Sequence, residues 1–449
     1  MSIQGFHKVP DVRCGHHQCI QRRETYMRRT LAALVGALTL VVAGPLVPAQ
    51  AADPSITPAQ VNTGFSGTAY GSYIFNSDKS LTSGPTANSS VSCTASTGKT
   101  ATNMGVGVNV PAVGTIGSAT TSVKTLLTTT GKRIEGRSTL TGADLLGGLI
   151  TAGSIASESS AEKNTAGAFT GTNQTTIAGL KVLGVPRNAS PAANTVIDLK
   201  LPLLGSLGKI TLNGQEKRMV GDIYQVSTTA LRVQILKAGL PGLKAGTDIR
   251  LGVSTVSLTP PQTGYLTGAG FGTRAVLSSG LIGSGPTALA HVKCGGGTTT
   301  SNAAGVSIPG LASAGATSTT TTGVLAPAPK STVTNTLSGL NMLNGVVRAD
   351  AIKAETSASK APAGGKVTLT DTSSFTNLRI AGLPAITASV PPNTVIQVPG
   401  LGRVTLHKVT KSSTTIAVTM IEIVLNQALG ALPTGSKIQI GYSSSGILP

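Results

Sequence analysis

Few side chains in this sequence could carry out acid–base, nucleophilic or metal chemistry. Beyond residue 51 the chain contains two histidines, His291 and His407, and they do not occupy matching places in the duplication described below. A catalytic triad needs a histidine between its two partners, and a zinc site needs several ligands converging on one point. The sequence shows neither pattern. We therefore expect no catalytic residue, no metal site and no bound cofactor.

Acidic residues are the second place to look, because a glycosidase needs two carboxyl groups flanking one bond. Asp144 with Glu158, or Asp350 with Glu355, could form such a pair. Glu158 and Glu355 match between the two halves of the chain, whereas Asp144 matches an asparagine and Asp350 a glycine. A surface acid is more often paired with lysine or arginine. The sequence favours that interpretation over a hydrolase site.

Cys93 and Cys294 are the two cysteines beyond the leader, and 201 residues separate them. An exported compartment permits a disulfide. A bridge would require that equivalent points of two domains face each other within about 7 Å. Two alternatives stay open, an inter-domain disulfide and two equivalent buried thiols.

Both cysteines belong to a duplication that covers most of the chain. The matching pairs are Gly67–Ser72 with Gly268–Thr273, Ser83–Ala87 with Ser284–Ala288, Leu180–Pro186 with Leu378–Pro384, Asn194–Ile197 with Asn393–Ile396, and Gly208–Leu212 with Gly402–Leu406. The spacing shortens near Lys200–Ser206, which indicates extra residues in the first half. A period this long indicates a domain duplication, since solenoid units run roughly 20–50 residues.

The duplication predicts two domains. We call residues 64–258 copy 1 and residues 264–448 copy 2. The residues 259–263 between them contain two prolines, which restrict the backbone and predict a short, stiff linker. Each copy is large enough for a core of its own.

Composition and alternation predict an all-β fold. The sequence has 56 glycines and 24 prolines, and Thr, Ser, Val and Ala dominate the rest. Thr and Val are β-branched and favour extended backbone. Apolar and polar residues alternate in Gly208–Asn213, Leu231–Leu236 and Lys437–Tyr442, as in half-buried antiparallel strands. We predict two tandem antiparallel β-rich domains, sandwich- or barrel-like, after an N-terminal signal peptide.

Residues 1–51 form the predicted leader and signal peptide. Met27–Arg29 is a basic start, residues 31–47 are apolar, and small residues precede a cleavage site between Ala51 and Ala52. The alternative is an uncleaved anchor, for which the apolar stretch is short. We interpret residues 1–26 as a misassigned start. Their Cys14–Cys19 segment holds two cysteines and two histidines, too close together to surround one metal.

The basic residues are numerous and scattered. Without residues 1–51 the chain keeps 29 basic and 14 acidic residues, a net charge of +15. Nucleic-acid binders cluster such charge and interleave aromatic residues, so we expect no nucleic-acid partner. Anionic cell-wall polymers or glycans are the expected partners, with a merely solvated surface as the alternative. Membrane contact is expected only through an uncleaved signal segment.

The matched motifs resemble the choice-of-anchor P family of actinobacterial secreted proteins. The residues that carry the resemblance are Gly67–Gly71, Ser83–Ala87, Cys93, Leu146–Leu149, Gly184–Pro186, Asn194–Ile197 and Gly208–Leu212 in copy 1, and Gly268–Gly272, Ser284–Ala288, Cys294, Gly382–Pro384, Pro392–Ile396 and Gly400–Leu406 in copy 2. The resemblance covers nearly all of both copies. It implies an exported, surface-associated protein. Family members carry different C-terminal anchors, but Gly446–Pro449 matches none of them, so we do not expect covalent wall anchoring.

These features together predict a non-enzymatic exported protein, released or held loosely at the cell envelope. The alternative is a carbohydrate- or wall-polymer-binding module that uses loops of the two copies. A secreted hydrolase is the third interpretation.

Overall fold

The computed structural model describes residues 57–77, 82–262, 264–280, 282–308, 312–342, 345–362, 365–380, 390–430 and 432–449. These ranges form β-strands and turns, with a short 3₁₀ helix at Pro58–Gln60 and no α-helix. The prediction of an all-β fold is confirmed. In the same ranges no helix is long and apolar enough to cross a membrane. Residues 55–449 form one compact unit.

The described part of copy 1 contains eighteen strands. They are β1 (Gly64–Phe75), β2 (Thr82–Ser83), β3 (Ser89–Thr94), β4 (Thr100–Gly105), β5 (Val108–Val110), β6 (Gly114–Ile116), β7 (Ala119–Leu127), β8 (Gly131–Leu140), β9 (Ala143–Leu145), β10 (Ile150–Ala152), β11 (Ser154–Asn164), β12 (Phe169–Ala178), β13 (Lys181–Val182), β14 (Val185–Pro186), β15 (Thr195–Leu201), β16 (Gly205–Val220), β17 (Ile223–Ile235) and β18 (Asp248–Thr259).

The described part of copy 2 contains sixteen further strands. They are β19 (Tyr265–Val276), β20 (Ile282–Ser284), β21 (Ala290–His291), β22 (Gly297–Ala303), β23 (Val306–Ile308), β24 (Ala312–Ala314), β25 (Thr317–Val324), β26 (Lys330–Met342), β27 (Val347–Ser359), β28 (Thr368–Asp371), β29 (Ser374–Thr376), β30 (Arg379–Ile380), β31 (Thr394–Val398), β32 (Gly402–Lys411), β33 (Thr415–Leu425) and β34 (Lys437–Leu448).

Matching strands pair in the same order in both copies. The front sheet runs β15-β16-β17-β18-β1 in copy 1 and β31-β32-β33-β34-β19 in copy 2. The back sheet runs β4-β7-β8-β11-β12 in copy 1. In copy 2 the strands β22-β25-β26-β27 occupy the matching place, in the same direction. Within each copy the strand pairs are antiparallel, whereas one parallel bridge, Ile282 to Gly105, joins β20 to β4. Each copy is therefore sandwich-like, and copy 1 has a further six-stranded sheet, β14-β13-β10-β9-β6-β5.

The sandwich interiors are mainly aliphatic and contain buried hydroxyl groups. Ile, Leu, Val and Ala make up most of the two largest core clusters, one in each copy. In copy 1 the Ser159 hydroxyl lies 2.6 Å from that of Thr228 and 2.9 Å from that of Ser254. Buried hydroxyls are tolerated when they find such partners. The serine- and threonine-rich composition is thus compatible with a closed core.

In each copy the repeated Ser-Gly-Pro-Thr-Ala segment is hydrogen-bonded to the first strand at the point where the pairing of that strand is interrupted. The Gly71 N–H donates to the Thr86 carbonyl at 2.8 Å, and the Ser72 N–H donates to Thr86 Oγ1 at 2.9 Å. Gly272 and Thr273 make the same bonds to the threonine of the second segment, at 2.8 Å and 2.9 Å. The segment recurs because each strand needs these hydrogen bonds where its own ladder is interrupted.

The glycines of these two segments also let the copies touch. A Cβ atom on Gly84 would collide with the carbonyl oxygen of Pro286, and one on Gly285 would lie 2.7 Å from that of Pro85. The two segments therefore face each other in a nearly symmetric contact, as the two halves of a twofold dimer do. Glycine is required here by close backbone approach.

Candidate binding cleft between the two copies

Cys93 and Cys294 form a disulfide at the contact between the copies. Their Cα atoms are 5.5 Å apart, and both side chains are buried beside Tyr265. Of the two alternatives left open by the sequence, the structure has the disulfide. The reason is the symmetric contact described above, which brings equivalent points of the copies together.

A cleft of about 530 Å³ lies next to this disulfide. Its floor is the outer face of the front sheet of copy 1, where polar side chains stand in two rows across the strands. The rows are Gln225–Ser257–Ser66 and Ser227–Thr255–Thr68–Ser90. The intervening residues Phe65, Val256 and Leu258 point into the core. Strand alternation thus places a hydroxyl-rich surface on the outside.

Two elements form the walls of the cleft. One is the segment 291–296 of copy 2, and the other is the tip of the β16–β17 hairpin, with Arg218, Val220 and Ile223. The two walls approach each other closely, since a Cβ atom on Gly295 would lie 3.0 Å from Ile223 Cδ1. No aspartate or glutamate lines the cleft among the described residues.

The cleft carries two cations. Arg218 forms an ion pair with Glu216 at 2.8 Å and donates to Gln225 Oε1 at 3.1 Å, so its guanidinium is held over the floor. Lys293 is exposed, and within the described ranges it forms no ion pair. A hydroxyl-rich floor with fixed positive charge suits an anionic ligand that also carries hydroxyl groups.

His291 lies between this cleft and a neighbouring cavity of about 170 Å³. Its Nε2 atom is buried without a hydrogen-bond partner in the described structure. Burial lowers the pKa of His291 to about 4, so the ring is neutral at neutral pH. A neutral imidazole can donate or accept one hydrogen bond to a ligand. The sequence did not single out this histidine for binding, because its matching residue in copy 1 is Ser90.

The smaller cavity is lined by aromatic residues and prolines. Tyr70 and Tyr73 meet edge to face with ring centroids 6.1 Å apart. Burial raises the pKa of Tyr70, and Arg250 beside it opposes part of that rise. The guanidinium of Arg250 also lies 5.2 Å from the Phe75 ring centroid and 3.0 Å from Asp248. Half-buried aromatic faces of this kind are apolar contact surfaces with a polar edge.

The acids considered from the sequence lie elsewhere, mostly in ion pairs or hydrogen bonds. Glu158 pairs with Arg137 at 2.9 Å, and Glu355 pairs with Lys353 at 2.9 Å. Burial alone would raise the pKa of Glu355, but hydrogen bonds, among them that from Lys353, lower it. The interpretation of these two as paired surface acids is confirmed.

Asp144 and Asp350 are both exposed, and Asp350 accepts a hydrogen bond from Asn377 at 2.5 Å. Neither lines the cleft. In the part of the chain that the structure describes, no group of three or more His, Cys, Asp or Glu side chains could hold a metal ion. The Cys14–Cys19 segment and the cleavage site at Ala51 and Ala52 lie outside the described residues.

His407 is placed in a partly buried ion pair. Its Nδ1 lies 2.8 Å from the Val390 carbonyl, and its Nε2 lies 2.8 Å from Asp371 Oδ2. The matching residue in copy 1, Asn213, donates from its amide to the carbonyl of Pro191 at 2.9 Å. Both ring nitrogens of His407 therefore lie within hydrogen-bond distance of an oxygen atom. The pair links the front and back sheets of copy 2.

Comparisons with known proteins add little to this geometry. A family model described as a domain of unknown function (DUF8256) matches residues 284–392, a part of copy 2. No curated protein matches the chain.

Proposed function

We propose that this protein is an exported, non-catalytic binding protein of the cell envelope, and that the cleft between its copies holds an anionic, hydroxyl-bearing envelope polymer. The observation that carries the proposal is the lining of the cleft. It combines two rows of hydroxyl and amide side chains with Arg218 and Lys293, and it lacks carboxylates among the described residues. Phosphodiester polymers of polyols have the complementary chemistry.

Several hydroxyls of the floor are available to such a ligand. Within the described structure the side chains of Ser66, Ser90 and Ser92 make no hydrogen bond to protein, whereas Thr68 is bonded to Asn88 at 3.0 Å. Free hydroxyls can both donate and accept, so they suit a ligand with alternating hydroxyl and phosphate groups. The open shape of a surface cleft also admits a chain that continues beyond it.

The sequence supports the cellular setting of this proposal. The predicted cleavage between Ala51 and Ala52 would release the protein outside the cytoplasm, where a disulfide persists. The resemblance to actinobacterial choice-of-anchor P proteins, and a duplication of their repeat unit, fit the same setting. The net charge of +15 after cleavage adds long-range attraction to anionic polymers.

Binding of a fluorescent poly(glycerol phosphate) to residues 52–449, which contain the whole compact unit, tests the proposal. The double variant Arg218→Glu/Lys293→Glu should weaken binding at least tenfold, which corresponds to about 1.4 kcal/mol. The matched control is Lys181→Glu/Lys330→Glu, which changes the net charge equally with one exposed lysine in each copy. It should change affinity less than twofold.

Three results would contradict the proposal. Equal weakening by both double variants would mean that the diffuse charge binds the polymer without a site. Absence of binding at low ionic strength, where charge attraction is strongest, would remove the polymer as a ligand. Binding that resists high salt and is displaced by one neutral sugar would point to a glycan site instead.

A further inference from the structure

The β15–β16 hairpin of copy 1 ends in exposed leucines. Leu203 is 105% exposed and Leu204 is 52% exposed. Leu236, 57% exposed, lies in the adjacent β17–β18 loop, and its N–H donates to the Leu207 carbonyl at 2.8 Å. We call Leu203, Leu204 and Leu236 the leucine tip. A fully exposed leucine leaves its burial free energy unused.

The matching hairpin of copy 2 has no such tip. It turns at Pro399 and Gly400 directly before Leu401, which matches the buried Leu207 of copy 1, so no leucine is left exposed there. Gly400 has a φ of 73°, and Leu203 occupies the corresponding place after Pro202 with a φ of 68°. A left-handed backbone suits glycine and is unfavourable for leucine. Copy 1 therefore keeps a leucine where both solvation and backbone conformation disfavour it.

Lysines are frequent in the two segments that carry the leucine tip. The hairpin carries Lys200 and Lys209, and the adjacent loop carries Lys237 and Lys244, whereas Asp198 is the one acid in residues 195–209 and 236–247. Lys200, Lys237 and Lys244 are exposed. Exposed apolar side chains in segments rich in lysine, whose stems are also apolar, are typical of surfaces that meet an anionic interface.

We propose that the leucine tip inserts into the interfacial region of an anionic lipid bilayer. The leucines would leave water for the acyl boundary, and the nearby lysines would be attracted to the negative surface. Part of the backbone at the tip is already hydrogen-bonded, since the Leu204 N–H donates to the Pro202 carbonyl at 2.9 Å and strand pairs continue to Leu201, and the interfacial region leaves the other groups in contact with water. A second copy of this chain is a poorer occupant, because its own lysines would repel these.

Sedimentation of residues 52–449 with lipid vesicles tests this inference, and it does not depend on the cleft. The protein should sediment with vesicles of phosphatidylglycerol and phosphatidylcholine and much less with phosphatidylcholine alone. Leu203→Ser/Leu204→Ser should weaken partitioning at least tenfold. Lys200→Glu/Lys237→Glu should weaken it several-fold and abolish the preference for the anionic vesicles.

The control for apolar exposure is Leu127→Ser/Val395→Ser, which changes side chains that are 53% and 55% exposed but lie outside the tip. It should leave partitioning unchanged. Leu203→Gly separates binding from folding, since it should weaken partitioning while raising thermal stability by relieving the left-handed leucine. Partitioning unaffected by the tip variants, no sedimentation with either vesicle, or self-association lost on Leu203→Ser would each overturn the inference.

Discussion

The two copies present matching grooves on their front sheets, and the groove of copy 1 is the larger of the two. The groove of copy 1 encloses about 530 Å³ and that of copy 2 about 240 Å³. In copy 1 the second row across the sheet is Ser227–Thr255–Thr68–Ser90, and in copy 2 it is Ala417–Ser444–Ala269–His291. The copies therefore share a scaffold while their outer faces have diverged.

Hairpin length explains much of the difference. Past Asn213, β16 continues to Val220, whereas past the matching His407, β32 ends at Lys411. The longer hairpin brings Ile223 to the disulfide-linked segment of the other copy and closes a wall. A strand extension at one edge thus turns a shallow groove into a cleft. Duplicated domains can diverge in function through such local changes while their cores stay alike.

Removal of the disulfide should have the largest effect. Cys93→Ser/Cys294→Ser should lower the free energy of unfolding by about 3 kcal/mol, because the bridge restricts the unfolded chain. It should also weaken polymer binding to the cleft, whose wall contains Cys294. Denaturant unfolding at equilibrium measures the first effect. A loss below about 1 kcal/mol would mean that contacts alone hold the copies together.

Replacement of His407 by the residue that copy 1 uses should have the next largest effect. His407→Asn can keep the bond to Val390 but leaves the Asp371 carboxylate without its partner, at a cost of about 1–3 kcal/mol near neutral pH. The double variant with Asp371→Asn should recover part of this loss. If it recovers none, the ion pair does not stabilise copy 2.

The same pair predicts a pH dependence. Burial would raise the pKa of Asp371, but hydrogen bonds from Ser373 and His407 outweigh it and lower that pKa. Because the folded pKa lies below the unfolded value, this stabilisation is present above about pH 4 and is lost as the pH falls through the folded pKa. The deficit of His407→Asn should therefore shrink below about pH 4. A constant deficit down to pH 2 would contradict this assignment.

In each copy a glycine with a left-handed backbone lies in the last strand. Its replacement should lower the stability of the protein by a similar amount in either copy. Gly252 and Gly441 have φ angles of 61° and 62°. Alanine at Gly441 would place its Cβ 2.9 Å from Ile352, and at Gly252 3.1 Å from Ile155. Each change should cost about 1–3 kcal/mol, with Gly441→Ala at least as severe. Thermal unfolding measures both.

Gly98→Ala serves as the control for these two variants. Gly98 has a φ of 76° with nothing within 4 Å of its Cβ position, so it should show the backbone cost alone. If Gly252→Ala and Gly441→Ala cost no more than this control, the close contacts of the two glycines are unimportant.

The smallest expected effect concerns the counter-charge of Arg218. Glu216→Ala should change stability by less than about 1 kcal/mol, since the pair is exposed. It should strengthen polymer binding about twofold by leaving Arg218 free for the ligand. Asp198→Ala, which changes the net charge equally outside the cleft, should have a smaller effect. An equal gain would assign the attraction to net charge.

The sequence was sufficient for the fold class and for many local features. Alternation in Gly208–Asn213 and Lys437–Tyr442 placed these residues correctly on strands β16 and β34, because a two-residue period is a local property. The pairing of Glu158 and Glu355 with basic residues was expected, because a surface acid is more often paired with lysine or arginine than part of a catalytic pair. The Ser-Gly-Pro-Thr-Ala segments were found as a repeat, although their hydrogen bonds to the first strand were not.

Other features depended on contacts between residues far apart in the chain. The disulfide of Cys93 and Cys294 required the two copies to meet face to face, and no local pattern encodes that meeting. The cleft needed residues from β1, β3, β17 and β18 together with a segment of copy 2, and the neutral His291 gained its role from burial there. Sequence by itself determined the strands, because side-chain alternation and turn residues act locally. Tertiary structure alone decided the cleft, because it exists only where two duplicated surfaces pack against each other.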